Sequence, residues 1–230
     1  RKNIALAYTP GVGSVSTYLS AHPEKTRDYT FKGNSVAIIS DGSAVLGLGN
    51  IGPYGAYPVM EGKALIFKEF AGIDGVPIVL ATQNPDEIVQ AVRAIAPTFG
   101  GINLEDIKAP ECFEVERRLI EALNIPVMHD DQHGTAIVVL AGLINASTVV
   151  KKEIKKLRVV IAGAGAAGTA IAKLLLAYGV RDIVLADRTG VIVKGRASLT
   201  KEKGELATLT NPRGVSGTLA NALVGSDVFI

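Results

Sequence analysis

Two pairs of adjacent carboxylates, one lysine and one tyrosine carry most of the chemistry available to this chain. Glu105-Asp106 follows the apolar run Gly101-Ile102-Asn103-Leu104, and Asp130-Asp131 follows Pro126-Val127-Met128-His129. Carboxylates beside apolar segments are costly unless they are paired or bound to a cation. Hard oxygen donors of this kind suit Mg²⁺ or Mn²⁺ better than zinc. The alternative is that Asp106 and Asp131 are helix caps. His129 and His133 flank the second pair at a zinc-like spacing, but Gly134 and the lack of a third soft ligand make structural or substrate-edge histidines the better reading. Lys63, in Met60-Glu61-Gly62-Lys63-Ala64-Leu65-Ile66-Phe67, is either a snorkelling surface residue or a buried base held neutral. Tyr8, in Leu6-Ala7-Tyr8-Thr9-Pro10-Gly11-Val12, is either a core residue or a general acid. Spacing decides neither.

A glycine pattern adds a different chemistry. Leu157 to Ile161 reads as a buried strand and runs into Gly163-Ala164-Gly165-Ala166-Ala167-Gly168, after which Ile171, Leu174, Leu175 and Tyr178 keep helical spacing. A second strand then ends in Asp187-Arg188. In this order the glycines make a tight turn, let the backbone approach a pyrophosphate, and let helix pack on strand. A pyrophosphate would then lie at the helix N-terminus, on Gly165, Ala166 and Ala167, where free N–H groups and the dipole favour negative charge. Asp187 is placed to accept hydrogen bonds from an adenosine ribose. It would repel a 2′-phosphate, whereas Arg188 would attract one, so NAD and NADP both stay open. Gly47, Gly49 and Gly52 repeat the spacing, but Asp41 to Leu46 separate them from their strand. They are expected to form a tight loop lining a cleft.

The elements that position these residues follow from the apolar pattern. Val36–Ile39, Val76–Leu80, Ile125–Met128, Val159–Ile161 and Ile183–Leu185 read as buried parallel strands. Asp86–Ala96 and Pro110–Leu123 carry helical spacing, the first opened by Asn84-Pro85-Asp86. Thr135–Val150 is apolar almost all round, which predicts a fully buried helix. Alternation of this kind predicts an α/β fold of two open, mainly parallel domains, the second a Rossmann-type dinucleotide-binding domain. The charged run Lys151 to Lys156 marks the boundary, giving a first domain over 1–150 and a second over 151–230 that ends early. Both acid pairs then fall just past strand ends, the edge where open α/β sheets bind ligands.

Composition narrows the function classes. With 24 Lys and Arg against 22 Asp and Glu, the chain has no broad basic surface for nucleic acid. Its 48% hydrophobic content excludes disorder, yet no apolar run is long enough to span a membrane. Cys112 is the sole cysteine, so an intramolecular disulfide and a cysteine zinc site are both excluded. A soluble, cytoplasmic protein is expected.

Taken together and in order, Ala7 to Val12, Asp41-Gly42 with Leu46-Gly47-Leu48-Gly49, Gly62-Lys63, Glu105-Asp106, Asp130 to Ala136 and the Gly163 fingerprint resemble the malic enzymes, in their shorter bacterial and archaeal form. The resemblance implies oxidative decarboxylation of malate to pyruvate and CO₂ with NAD or NADP and Mg²⁺ or Mn²⁺, by a homodimer or larger homo-oligomer. It implies that Lys63 is the base for the 2-hydroxyl and that Tyr8 protonates C3 of the enolate. Glu105, Asp106 and Asp131 would hold the metal, and Asp130 would pair with Lys63. Two departures stand out. Ala44 occupies the position where larger members carry an arginine for a substrate carboxylate, leaving the loop amides of Gly47 to Gly52 as a replacement. The asparagines of the family that contact malate lie beyond Ile230. Two other readings compete. A metal-independent amino-acid dehydrogenase shares the two-domain plan and a catalytic lysine, and a non-catalytic dinucleotide-binding regulatory module needs only the glycine fingerprint.

Overall fold

The computed structural model describes residues 2–230. By packing, the chain divides into two compact units, Arg1–Ile107 with Val115–Met128, and Lys108–Glu114 with His129–Ile230. The division falls inside a strand, well before the charged run at Lys151 to Lys156.

The first unit opens with α1 (Lys2–Ala7), α2 (Val12–Ala21) and the short α3 (Thr26–Tyr29). Then come β1 (Ser35–Ser40), α4 (Gly52–Ala71), β2 (Asp74–Val79), α5 (Pro85–Ile95), β3 (Gly101–Leu104), α6 (Glu111–Ala122) and β4 (Val127–His129). Their sheet has the order β2-β1-β3-β4, with β1 parallel to both β2 and β3. Central β1 is buried because Ala37, Ile38 and Ile39 present apolar side chains to both faces. α5 starts where Asn84 Oδ1 accepts from Asp86 N at 2.8 Å, with Pro85 at the first helical position. Such a cap is worth about 1 kcal/mol. Ile88, Val89 and Val92 then turn one face of α5 into the core.

The second unit contains α7 (Asp130–Val149), β5 (Arg158–Ala162), α8 (Ala166–Tyr178), β6 (Asp182–Asp187), β7 (Gly190–Val191), α9 (Lys201–Leu209), α10 (Leu219–Leu223) and β8 (Val228–Phe229). Its sheet order is β7-β6-β5-β8, with β5 parallel to β6 and β8 and only β7 antiparallel. Val159, Ile161, Ile183 and Leu185 face Ile171 and Leu175 of α8, while Val160 and Val184 face Ala222 of α10. Each such Ile or Leu contributes about 1.5–3 kcal/mol by leaving water. The mainly parallel α/β architecture expected from sequence is therefore present in both units.

Two expectations about α7 need correction. Helical spacing placed its start near Thr135, but it begins at Asp130, because carboxylates in a first turn are favoured by the positive end of the helix even without apolar spacing. Nor is it buried all round. Leu143 and Ala136 pack with the α8 side of the core, whereas Ile137, Val138 and Val149 are 57%, 66% and 80% exposed. Apolar composition cannot distinguish a helix covered on every side from one covered on a single face.

Candidate functional site

In the first unit, reactive groups gather where β3 ends. Lys63 sits one turn after Met60, a fully buried residue of α4, and its Nζ stands 3.1 Å from Glu105 Oε2. The two side chains are only 20% and 10% exposed. Asn103 Nδ2 donates to the same Glu105 oxygen at 2.8 Å, so a buried polar residue of β3 orients the carboxylate. Asn103 Oδ1 is buried and accepts no hydrogen bond. Asp106, 3% exposed, adopts φ 55°, a left-handed conformation that non-glycine residues rarely hold. Strain of this kind concentrates at ligand sites. Asp106 is tied down through its carbonyl, which accepts from Ala44 N at 2.9 Å.

The loop after β1 is built to turn sharply. Asp41 Oδ1 accepts from Ser43 N at 2.9 Å and Ser43 Oγ at 2.6 Å. Gly42 holds φ 69°, and a side chain there would run into the Gly52 carbonyl, while its own carbonyl accepts from Ile51 N and Gly52 N. This is the tight loop expected from the Gly47-Gly49-Gly52 cluster, not a second dinucleotide strand-to-helix turn. Ala44 lies in it, and Gly47 and Gly49 are exposed.

Tyr8 behaves otherwise. It ends the first helical segment, its carbonyl accepting from Val12 N at 2.7 Å, and the residue is 70% exposed. Its own unit leaves it neither in the core nor under cover.

The second acid pair begins α7 in the second unit. Glu105-Asp106 follows β3 and Asp130-Asp131 follows β4, its neighbour in the sheet order. His129 is fully buried at the helix start, and its Nε2 lies 3.4 Å from Asp131 Oδ2. Asp130 folds over the helix at Gly134, where a Cβ would come within 2.5 Å of Asp130 Oδ1. A glycine inside a helix costs about 1 kcal/mol relative to alanine. Here it makes room for a carboxylate.

The glycine fingerprint forms a strand-to-helix cradle in the same unit. Gly163 has φ 121°, and any side chain on Gly168 would strike the Gly163 carbonyl, so helix and turn meet at backbone contact. Around Gly163 and Gly165 the space a Cβ would take is open. Gly165 caps α8 without a side chain, so no side chain of the N-cap satisfies the amides that open the helix. A cavity of about 790 Å³ borders Gly163, Gly165, Asp187, Arg188, Arg196 and Lys203. Ala166 and Ala167 are the first residues of α8 beside it.

Asp187, at the end of β6, is engaged by three side chains. Arg196 grips it with both terminal guanidinium nitrogens, Nη1 at 3.0 Å and Nη2 at 2.6 Å, and Lys203 Nζ reaches Oδ2 at 2.7 Å. Thr189 adds its amide at 3.0 Å and its hydroxyl at 2.8 Å. The Arg196 guanidinium, above all, holds the Asp187 carboxyl far below the usual carboxylate range; burial opposes this, and Lys203 and Thr189 reinforce it. Arg196, Lys203 and Asn103 had no motif to mark them. Asn103 was the most findable, as a lone polar residue in an apolar strand.

Similarity to known proteins follows the same division. The model of the malic enzyme N-terminal domain matches residues 1–86 and 81–120, and that of the malic enzyme NAD-binding domain matches residues 132–220. An NAD-dependent malic enzyme of Geobacillus stearothermophilus is 55% identical over the whole chain, which covers 48% of that protein. An NADP-dependent malic enzyme of Halomonas elongata is 51% identical over the whole chain, covering 54% of it. A crystal structure of an NAD-dependent malic enzyme from Thermotoga maritima superposes on the whole chain with TM-score 0.97 and 51% identity, the chain covering 62% of it. The chain thus spans about half the length of these curated relatives.

Proposed function

The chain belongs to the malic enzyme family, and from that premise we propose that it carries out the metal-assisted oxidative decarboxylation of malate to pyruvate and CO₂, reducing NAD⁺ or NADP⁺. The observation that carries this reading is the buried contact of Lys63 with Glu105 beside Asp106 at the end of β3. A dinucleotide-binding module has no use for such a group, and an amino-acid dehydrogenase has no use for a cluster of cation-binding carboxylates.

The residues fit both cofactors. Glu105, Asp106 and Asp131 are hard oxygen donors, two of them buried, and we assign them to a Mg²⁺ or Mn²⁺ ion. Gly163, Gly165 and the first amides of α8 suit a pyrophosphate, because the open space at both glycines and the close approach at Gly168 admit backbone-to-phosphate contact. A cation held by Glu105, Asp106 and Asp131 would supply Lewis acidity at the C2 oxygen of malate, and a dinucleotide on the glycine cradle would supply the hydride acceptor.

The chain's own residues do the proton work. Lys63 must be neutral to accept the 2-hydroxyl proton, whereas its contact with Glu105 favours the ammonium. Glu105, were it to hold the cation, would no longer be given over to Lys63 alone, and Lys63 is assigned as the base for the 2-hydroxyl proton. Asp130 is assigned to orient Lys63. Tyr8 delivers a proton to C3 after CO₂ leaves. Asp187 and Arg188 are assigned to the adenosine ribose. Because both Asp187 oxygens are already engaged, a ribose hydroxyl is admitted by displacing Lys203, whose side chain is 27% exposed, rather than Arg196 at 18%.

The test is stoichiometric. Malate supplied to the intact protein with Mn²⁺ should yield pyruvate, CO₂ and reduced dinucleotide in equal amounts, and nothing once the metal is chelated. Dinucleotide reduction that persists without metal, or with an amino acid in place of malate, would select the dehydrogenase reading instead.

A further inference from the structure

The cavity beside the glycine cradle offers a dinucleotide ample polar anchorage and little apolar surface. Its lining after β6 is charged, with Asp187, Arg188, Arg196 and Lys203, and the cradle adds only glycines and Ala164. A purine base has two apolar faces, and sites for such ligands are lined mainly by apolar and aromatic side chains. Pro110 and Phe113 supply that surface. Among the described residues that border the cavity, Phe113 is the one aromatic ring.

Both residues precede the glycine fingerprint by a long stretch of sequence, yet they pack with its unit. Lys108–Glu114 belongs to the second unit and Val115–Met128 to the first, so the division falls after the first turn of α6. The backbone fixes the entry to this helix. The Pro110 carbonyl accepts from Phe113 N at 3.1 Å, and the Lys108 carbonyl accepts from Cys112 N at 2.9 Å. Along α6, Cys112, Val115, Glu116 and Leu119 form a buried stripe at helical spacing. Phe113 lies off that stripe, about 100° round the helix from Cys112, and stays half-buried. An aromatic ring that its own helix does not bury is thus held by a fixed turn at the edge of a polar cavity.

We propose that Phe113, with Pro110, is the surface on which the adenine ring of the bound dinucleotide stacks. The proposal rests on the dinucleotide reading above and adds to it a residue outside the glycine fingerprint. Adenine is the ring chosen, and not nicotinamide, because Phe113 borders the same cavity as Asp187 and Arg188, the residues assigned to the adenosine ribose. Base and ribose of one nucleoside are joined directly, so a cavity that takes the ribose receives the base beside it.

The test is ligand affinity in the intact protein, read by isothermal titration calorimetry with ADP-ribose and with NAD⁺. ADP-ribose carries the adenosine and the pyrophosphate and lacks only the nicotinamide. Phe113→Ala should weaken both ligands by the same factor, roughly 5–150-fold, the worth of one base–aromatic stack. Phe113→Tyr keeps the ring face and should bind both within about twofold of wild type. Mn²⁺ affinity, read by electron paramagnetic resonance, should change in neither variant, although Asp106 lies only seven residues before Phe113. Should Phe113→Ala fail to fold, Phe113→Leu fills the space without a ring, and its affinity against that of Phe113→Tyr decides the matter. Unchanged affinity for both ligands overturns the proposal, and so does a loss for NAD⁺ alone, which would put the ring at the nicotinamide. Mn²⁺ affinity falling together with that for ADP-ribose overturns it too, by making Phe113 a support for its segment. A wild-type protein that binds Mn²⁺ but neither ligand means that the dinucleotide reading has failed, and the proposal with it.

Discussion

The Lys63 ammonium stands 3.1 Å from the Glu105 carboxylate, and Asn103 donates to that same oxygen at 2.8 Å. In the proposed function this one carboxylate serves both the base and the cation. Glu105→Gln keeps the shape and an acceptor for Asn103 but removes the charge. The Mn²⁺ concentration for half-maximal malate turnover should rise on the order of tenfold or more, as expected for loss of an anionic ligand. An unchanged titration would remove Glu105 from the metal set.

Asp131 is tested in the same way with a different rival. It lies in the first turn of α7, 3.4 Å from His129, where a carboxylate also serves the helix dipole. Asp131→Ala should raise the Mn²⁺ requirement steeply if it is a ligand. A shift confined to thermal stability, of about 0.3–1 kcal/mol, would make it a helix-end charge instead.

Tyr8→Phe should separate the half-reactions. Its proton is needed after CO₂ departs, so oxidative decarboxylation of malate should fall by roughly 10²–10⁴-fold. Reduction of pyruvate supplied directly should suffer much less. Steady-state rates of both reactions decide the matter. Equal losses would place Tyr8 in the hydride step as well.

Asp187 ties stability to pH. Its carboxyl is held low in the folded chain chiefly by Arg196. A depressed folded pKa means that the contribution is complete above the unfolded value of about 3.9 and is lost as pH falls below it. Asp187→Asn should therefore lower stability by about 2 kcal/mol or more at pH 7. Thermal melts of variant and wild type should approach one another progressively as pH falls below about 3.9 and toward the depressed folded value. A gap independent of pH would mean that the hydrogen bonds matter and the charge does not.

Legibility in the sequence followed the range of the interaction. β1, β2, β4, β5, β6 and α5 were readable because β-branched runs and the Asn84-Pro85 cap act locally. The acid pairs and the glycine cradle were readable because strand ends place them. Lys63's contact with Glu105 was not, since it joins α4 to the end of the second strand after it. The engagement of Asp187 by Arg196 and Lys203 spans nine and sixteen residues across a turn, with no spacing rule to signal it. α1 and α2 escaped notice because small residues such as Gly13, Ser14 and Ser16 blur the apolar spacing. The exposed face of α7 was misjudged because composition records what a face is made of and not what covers it.

The most direct measurement is malate turnover by Lys63→Ala, with dinucleotide affinity measured on the same preparation. Lys63 lies on α4 in the first unit and the glycine cradle is formed by the second, and the proposed function gives Lys63 the role of base and no role in holding the dinucleotide. The account predicts that turnover falls by at least roughly 10²–10⁴-fold, the usual worth of a general base, while affinity for NAD⁺ or NADP⁺ stays at the wild-type value. Near wild-type turnover would contradict the account at its centre, because no other role proposed for Lys63 survives its removal.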